Sequence, residues 1–294
     1  MTAEQTAGKK MPYMFTQCED INCRSVAPLQ DTPSNRITYS AKIYAKYNVE
    51  DITEQFVVKV SANETSTSGK DMGNGYRVYT FECSIPIPSY LIAIAIGDIE
   101  YRSTGTRTGV MTEPCAMDAV AEELADMGTM LDNVEAYMGP YIWGIYNILV
   151  LPPSFPMGGM ENPLLTFASP TVIVGDKSQV YVAIHEMAHS WTGNEVTCQN
   201  WENFWLNEGF TVFVERHVSA TMYGEDFAKV AALLGNTSMY QSMEDQELGL
   251  KDTFSSLHPV LKGRNPDSSF STVPYEKGFQ MLYFLEQLIG DAQM

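Results

Sequence analysis

Residues 182–216 read VAIHEMAHSWTGNEVTCQNWENFWLNEGFTVFVER, and within them His185-Glu186-x-x-His189 is followed after eighteen residues by Glu208. On a helix, side chains four apart project about 40° apart around the axis, so both imidazoles can reach one ion from a single face. A catalytic zinc takes three protein ligands and keeps a fourth position open, and two histidines with one carboxylate form one such set. Glu208 is the candidate third ligand. Glu186 projects at the wrong angle to bind the same ion and is instead placed to take a proton from water activated there. The competing reading makes His185 and His189 core histidines satisfied by backbone groups. The chain has only four histidines, so chance would give this motif on the order of once in a few hundred sequences of such composition. His217 and His258 have no partner at ligand spacing and read as surface or structural residues.

Two helices must hold the cluster. The first is expected to begin near Ser178, a suitable N-cap, and to break at Thr192-Gly193-Asn194. Residues 204–218 have the apolar spacing of a second helix, which a turn of that length can return across the first. Upstream, residues 36–47 alternate, with Ile37, Tyr39, Ala41, Ile43, Ala45 and Tyr47 on one face, as in a half-buried strand. Residues 56–60, 76–85 and 90–96 read as further strands, with a polar, glycine-containing loop at 63–75. Val120, Leu124, Met127, Leu131, Val134 and Met138 recur at three- and four-residue spacings and predict one amphipathic helix, its methionines acting as core filler. Residues 146–151 and 171–174 read as strands, 227–243 as a helix, 254–265 as irregular, and 275–289 as a last helix ended by Gly290. The expected class is α+β: an antiparallel β domain over residues 1–110 and a mainly helical one over 111–294. No internal repeat or low-complexity segment is visible.

A chain of 294 residues with 45% hydrophobic content is long enough for two cores. Lys and Arg total 18 against 36 Asp and Glu, a net charge of −18, which disfavours nucleic acid and anionic membranes as partners. That charge reads either as solubility or as a negative cleft attracting a cationic substrate group. Five cysteines in no framework read as reduced thiols of a cytoplasmic protein. The opening MTAEQTAGKK lacks the apolar core of a signal peptide, and the longest apolar run is too short to span a bilayer.

Gly158-Gly159-Met160-Glu161-Asn162 ahead of HEMAHSWTGN, together with WLNEGFTVFVERH, VPYEKGF and QCEDINCR, resembles the motif set of peptidase family M1, the gluzincin aminopeptidases. The resemblance runs over nearly the whole chain. It implies a saddle-like β domain ahead of a thermolysin-like catalytic domain, one zinc per chain on His185, His189 and Glu208, and Glu186 as general base. Tyr275 would stabilise the tetrahedral oxyanion and Glu161 would bind the free α-amino group of a peptide. A carboxylate pairs with an ammonium, and a phenol donates to developing negative charge, so both roles suit the side chains. Gly158 and Gly159, lacking side chains, could lie close to an extended peptide beside Met160. Gln17 and Glu19 match residues near the amine, although family members of the type that also open a fatty-acid epoxide carry a second glutamine in place of Glu19. Asp267 agrees with the acid those members use on a lipid epoxide, whereas Phe270 stands where they carry tyrosine. Glu215 resembles an acid that orients a zinc histidine, and it reads equally as an exposed helix acid. The family extends further at both ends. The sequence is therefore expected to be partial, with the stripe Met281, Leu282, Leu285, Leu288 and Ile289 needing cover.

Overall fold

Residues 1–46, 56–246 and 251–290 are described here by a computed structural model. Its first part is built of antiparallel strands: β1 (Met14–Phe15), β2 (Arg36–Lys46), β3 (Val57–Val60), β4 (Asn63–Glu64), β5 (Lys70–Asp71), β6 (Tyr76–Pro88) and β7 (Ile94–Gly97). One sheet runs β1-β7-β3 and another β2-β6-β4, with β5 also paired to β6. In β2 the expected face, Ile37 to Ala45, is the less exposed one; Tyr47 lies outside the described residues. The polar loop at 63–75 contributes β4 and β5 to the edge of β6.

The run at 90–96 is not one strand. Ser89–Leu91 is a 3-10 turn with Tyr90 and Leu91 buried, and the strand is confined to Ile94–Gly97. The buried Ser61 hydroxyl explains the delay. It donates to the Leu91 carbonyl at 2.8 Å and accepts from the Ala93 amide at 2.9 Å, taking over backbone groups a ladder would have paired.

A third sheet contains β8 (Glu100–Ser103), β9 (Thr108–Thr112), β10 (Tyr146–Val150), β11 (Gly159–Met160) and β12 (Thr166–Ala168), in the order β11-β12-β10-β9-β8. β10 is parallel to both neighbours, while the two outer pairs are antiparallel. Every residue of β9, β10 and β12 is buried. Strands covered on both faces need no alternation, which is why TGVMT and TFA carried no strand pattern. Residue 110, where the domain junction was expected, falls inside β9.

The helices are α1 (Met117–Glu123), α2 (Met127–Met138), α3 (Tyr181–Ala188), α4 (Trp205–Tyr223), α5 (Glu225–Glu244), α6 (Lys251–Phe254) and α7 (Val273–Ile289). The α+β class holds, with antiparallel sheets first and helices after them. Three local expectations are corrected. The single helix expected over 120–138 is two, α1 and α2. The break still buries Leu124 and Met127, and it turns the buried Glu123 carboxylate onto the amides of Gly175 at 3.0 Å and Lys177 at 2.9 Å. Residues 171–174 are not a strand, because Pro170 lacks an amide and Ser169 caps a 3-10 turn over Pro170–Val172. Finally, Ser178 does not cap the zinc-motif helix. Its amide is taken by Asp176 at 2.9 Å within the loop that Glu123 holds, and α3 starts at Tyr181.

α4 is the central helix, packed between α3 and α7. Its crossing with α7 brings backbone onto backbone: a Cβ at Gly209 would lie 2.8 Å from the Gly278 Cα, and one at Gly278 would lie 2.7 Å from the Gly209 Cα. On α7, Val273, Gly278, Phe279, Leu282 and Glu286 face inward. Of the stripe expected to need cover, only Leu282 is buried; Met281, Leu285, Leu288 and Ile289 are exposed. His217 Nε2 pairs with the buried Glu286 at 2.9 Å and His258 Nδ1 meets the Glu202 carbonyl at 3.0 Å, so both histidines are structural.

Gly209→Ala should therefore force α4 and α7 apart and cost about 1–3 kcal/mol, as overpacking against rigid backbone does. Denaturant unfolding of that variant checks it, with Gly224→Ala as the wrong control and Gly128→Ala, where the nearest atom is a side-chain oxygen at 3.8 Å, as the right one.

Candidate metal centre and active site

α3 is short because residues 189–192 must leave it quickly, and the turn that follows is what shapes the cluster. Gly193 (φ 134°) takes a conformation closed to other residues, where a Cβ would lie 2.9 Å from His189 Nδ1. His189 Nδ1 lies 2.9 Å from the Thr192 carbonyl and 3.1 Å from Thr211 Oγ1 of α4, so its Nε2 is directed away from them. His185 is held by Glu215, whose Oε2 is 2.9 Å from Nδ1. Glu215 is buried.

With both rings fixed from behind, their Nε2 atoms stand 3.1 Å apart, and Glu208 Oε2 is 3.4 Å from His185 Nε2 and 3.3 Å from His189 Nε2. Donors on a tetrahedral zinc, at bond lengths of about 2.0–2.2 Å, are separated by about 3.3–3.6 Å; both carboxylate separations fall in that range and the two Nε2 atoms stand about 0.2 Å inside it, so a small opening of the pair would fit the ion. Glu208 Oε2 is buried and has no hydrogen-bond partner, as befits an atom meant for a cation.

Glu19, Glu161, Glu186 and Glu208 are all buried, and Glu19, Glu161 and Glu208 offer oxygens within 4.8 Å of one another. Burial pushes Glu186 up to about 8, although both histidines oppose it. Burial likewise raises Glu161 against the pull of His189, and it raises Glu19 further because Glu161 and Glu208 add like charge. Glu208 goes the other way: burial opposes ionisation, yet His189 and His185 hold it down to about 2. His189 is raised to about 9 as Glu161 and Glu208 overcome burial, and contacts with Glu208 and Glu215 raise His185 in the same manner.

The glycines of the Gly-Gly-Met-Glu-Asn stretch differ in what they do. A Cβ on Gly159 would come within 2.1 Å of Glu186 Oε1, so Gly159 makes the space in which Glu186 lies; Gly158 faces open space. Glu161 is anchored through its backbone, its carbonyl accepting from Asn194 Nδ2 at 2.7 Å. Its Oε1 is buried and unpartnered, 3.9 Å from His189 Nδ1. Tyr275, in the first turn of α7, stacks on His185 with ring centroids 6.1 Å apart. Burial and then Glu208 push its phenol well up, so it stays protonated and can donate.

These side chains line one cleft of about 820 Å³, shared by Glu19, Gly158, Gly159, Glu161, His185, Glu186, His189, Glu208, Glu215 and Tyr275. Glu276 and Arg216 lie farther along it, and Arg216 is its sole Lys or Arg among six glutamates. Phe270 is also on the wall. Three expected residues are elsewhere. Gln17 donates to Met160 Sδ at 3.1 Å and the two are off the cleft wall; Asp267 is exposed at the start of a 3-10 turn, Pro266–Ser269.

The model of the Peptidase M1 N-terminal domain matches residues 2–91, and that of the Peptidase family M1 domain matches residues 123–294. The chain belongs to peptidase family M1. Leukotriene A-4 hydrolase of Xenopus laevis is 44% identical over 294 residues, 100% of this chain and 47% of that protein. Leucine aminopeptidase 2 of Aspergillus terreus is 43% identical over 291 residues, 99% of this chain and 46% of its own length. A solved structure of yeast LTA4 hydrolase in complex with Bestatin superposes with a TM-score of 0.89 at 39% identity, over 99% of this chain and 44% of that one. The chain thus spans about half the length of the curated relatives it matches.

Asn194 and Thr211 were not singled out from the sequence. Asn194 sits in the Thr192-Gly193-Asn194 break, where a polar residue beside a glycine could have signalled a second task; nothing local marks Thr211 as the partner of His189.

In the metal-free site His189 is raised from 6.5 to about 9, so its contribution to stability is complete below about pH 6.5 and is lost as pH rises through 9. Glu186, raised from 4.5 to about 8, also favours the folded state less as pH rises. Zinc must displace these protons, so its affinity rises over the same window. The expected outcome is a gap between zinc-loaded and metal-free melting temperatures that widens from pH 6.5 to 9; Glu208→Ala should lose most of the zinc and Glu186→Ala little. A gap independent of pH, or full zinc in the Glu208 variant by metal analysis, contradicts the ligand set.

Proposed function

We propose that this protein is a zinc aminopeptidase that removes N-terminal residues from peptides. The observation that carries the reading is the pair of buried carboxylates, Glu19 and Glu161, beside the histidine–glutamate triad. Peptidase chemistry alone does not require them, and a free α-ammonium one residue from the scissile bond does.

His185, His189 and Glu208 would hold the zinc, which supplies Lewis acidity toward water and the substrate carbonyl. Glu161 and Glu19 accept hydrogen bonds from the substrate ammonium and set which peptide bond lies over the triad. Glu186, in the space left by Gly159, accepts the proton of the attacking water on its carboxylate and returns it to the departing amine. The Tyr275 hydroxyl donates to the oxyanion as charge develops. Glu215 and the Thr192 carbonyl keep the two imidazoles in the tautomer that leaves Nε2 free.

The division into a β-rich unit, residues 1–110, and a catalytic unit, residues 111–294, belongs to the same reading, with β9 as the element they share. A reducing, cytoplasmic setting suits the five free cysteines. No described helix is long and apolar enough to cross a membrane. The alternative substrate, a lipid epoxide, is not favoured: Asp267 is off the cleft wall and Phe270 has no hydroxyl to offer.

Losing a buried charged pair of this kind should cost about 2–5 kcal/mol, or about 30- to several-thousandfold in kcat/KM. Aminoacyl substrates should therefore be cleaved and their N-acetylated counterparts scarcely at all, and Glu161→Gln should erase most of that difference. Equal wild-type rates on both substrates would remove Glu161 from its role.

A further inference from the structure

α4 places Glu208 at the triad, Glu215 on His185, and, next along the chain, Arg216. Arg216 is only 7% exposed, and its Nη2 donates to both carboxylate oxygens of Glu276 at 2.8 Å and to the Ala231 carbonyl at 3.4 Å. The guanidinium carbon lies 4.0 Å from the Phe279 ring centroid, while Nε and Nη1 are buried without hydrogen-bond partners. Glu276 directly follows Tyr275 and reaches to α5, where a Cβ on Gly235 would come within 2.2 Å of its Oε2. One ion pair therefore joins α4, α5 and α7 a single residue from the phenol in the cleft.

We propose that the Arg216–Glu276 pair, seated in the notch left by Gly235, positions Tyr275 over the triad. Tyr275 lies in the first turn of α7, where backbone amides lack partners within the helix and fraying is easiest. Thr272, the residue just before α7, ties the helix start to α5, donating to the Ser238 carbonyl at 3.1 Å. The carboxylate of Glu276 supplies the charged, directional tie on the other side. A buried ion pair adds little net stability compared with apolar packing, so geometry is the more telling consequence. Arg216 and Glu276 are thus positioning residues, and their effect on turnover rests on the oxyanion role proposed for Tyr275.

The test uses the zinc-loaded protein with Arg216→Lys, Glu276→Gln and Gly235→Ala, the last of which displaces Glu276 while leaving every charge in place. Crystal structures should show the Tyr275–His185 ring separation of 6.1 Å changed. A shift of about 1 Å should lower kcat about 10- to 100-fold, with zinc content and KM for an aminoacyl substrate little altered. Calorimetric affinity for a phosphinic dipeptide with a free amino group should fall in each variant, and Glu276→Gln should add no further loss in a Tyr275→Phe background. An unmoved ring, or losses additive with Tyr275→Phe, overturns the proposal. If the wild-type zinc form neither cleaves the substrate nor binds the phosphinic probe, the aminopeptidase reading fails, and the ring separation alone decides the positioning role.

Discussion

Four carboxylates buried in one space cannot all be ionised without a cation, and this electrostatic constraint organises the centre of the molecule. Glu19, Glu161, Glu186 and Glu208 share the cleft with two imidazoles. In the metal-free protein the balance is met by protons: histidines hold theirs to high pH and Glu208 gives its own up readily. A divalent ion at the three convergent donors replaces those protons. Under the proposed function, an ammonium beside Glu161 and Glu19 would answer the charge that is left. Glu19 Oε1, Glu161 Oε1, Glu186 Oε2 and Glu208 Oε2 are each buried without a hydrogen-bond partner, and the proposed zinc and substrate ammonium would answer that deficit.

The rest of the fold keeps that strained set of charges in register. α3 and α4 carry the triad, and each histidine is backed by groups outside α3: Glu215 of α4 for one, Thr211 of α4 and the Thr192 carbonyl of the intervening turn for the other. Because α4 meets α7 at Gly209 and Gly278 with no side chain between, Tyr275 is delivered to the same space by backbone contact. The N-terminal sheets take part as well. Arg36 on β2 donates to the Asn194 carbonyl at 2.6 Å, and Asn194 in turn holds the Glu161 backbone, so the β-rich part braces the Glu161 side of the cleft.

A cleft whose walls carry six glutamates and one arginine has consequences beyond its own residues. Low-dielectric walls lined by one sign of charge focus the field and draw a cationic group inward, while anionic ligands are repelled. That acidity is what the proposed recognition of a peptide N-terminus would draw on.

Sequence alone determined that His185, His189 and Glu208 converge, because histidines four apart on one helix and an acid on the next meet through local geometry. It also determined β2, whose one less-exposed face prints an alternating period on the residues, and it located α4 from apolar spacing although that helix is buried on most sides. It did not determine β9, β10 and β12 as one sheet, since strands buried on both faces lose their alternation, and it merged α1 with α2 because an apolar stripe continues across a one-turn break. Glu161 and Tyr275 were legible only through family resemblance, their neighbours in space being distant in the chain. Which carboxylates are buried together, that Gly159 is a slot for Glu186, and that Asp267 points away from the cleft were decided by tertiary packing. Burial and like-charge proximity depend on how segments far apart in sequence meet, and no local period encodes that meeting.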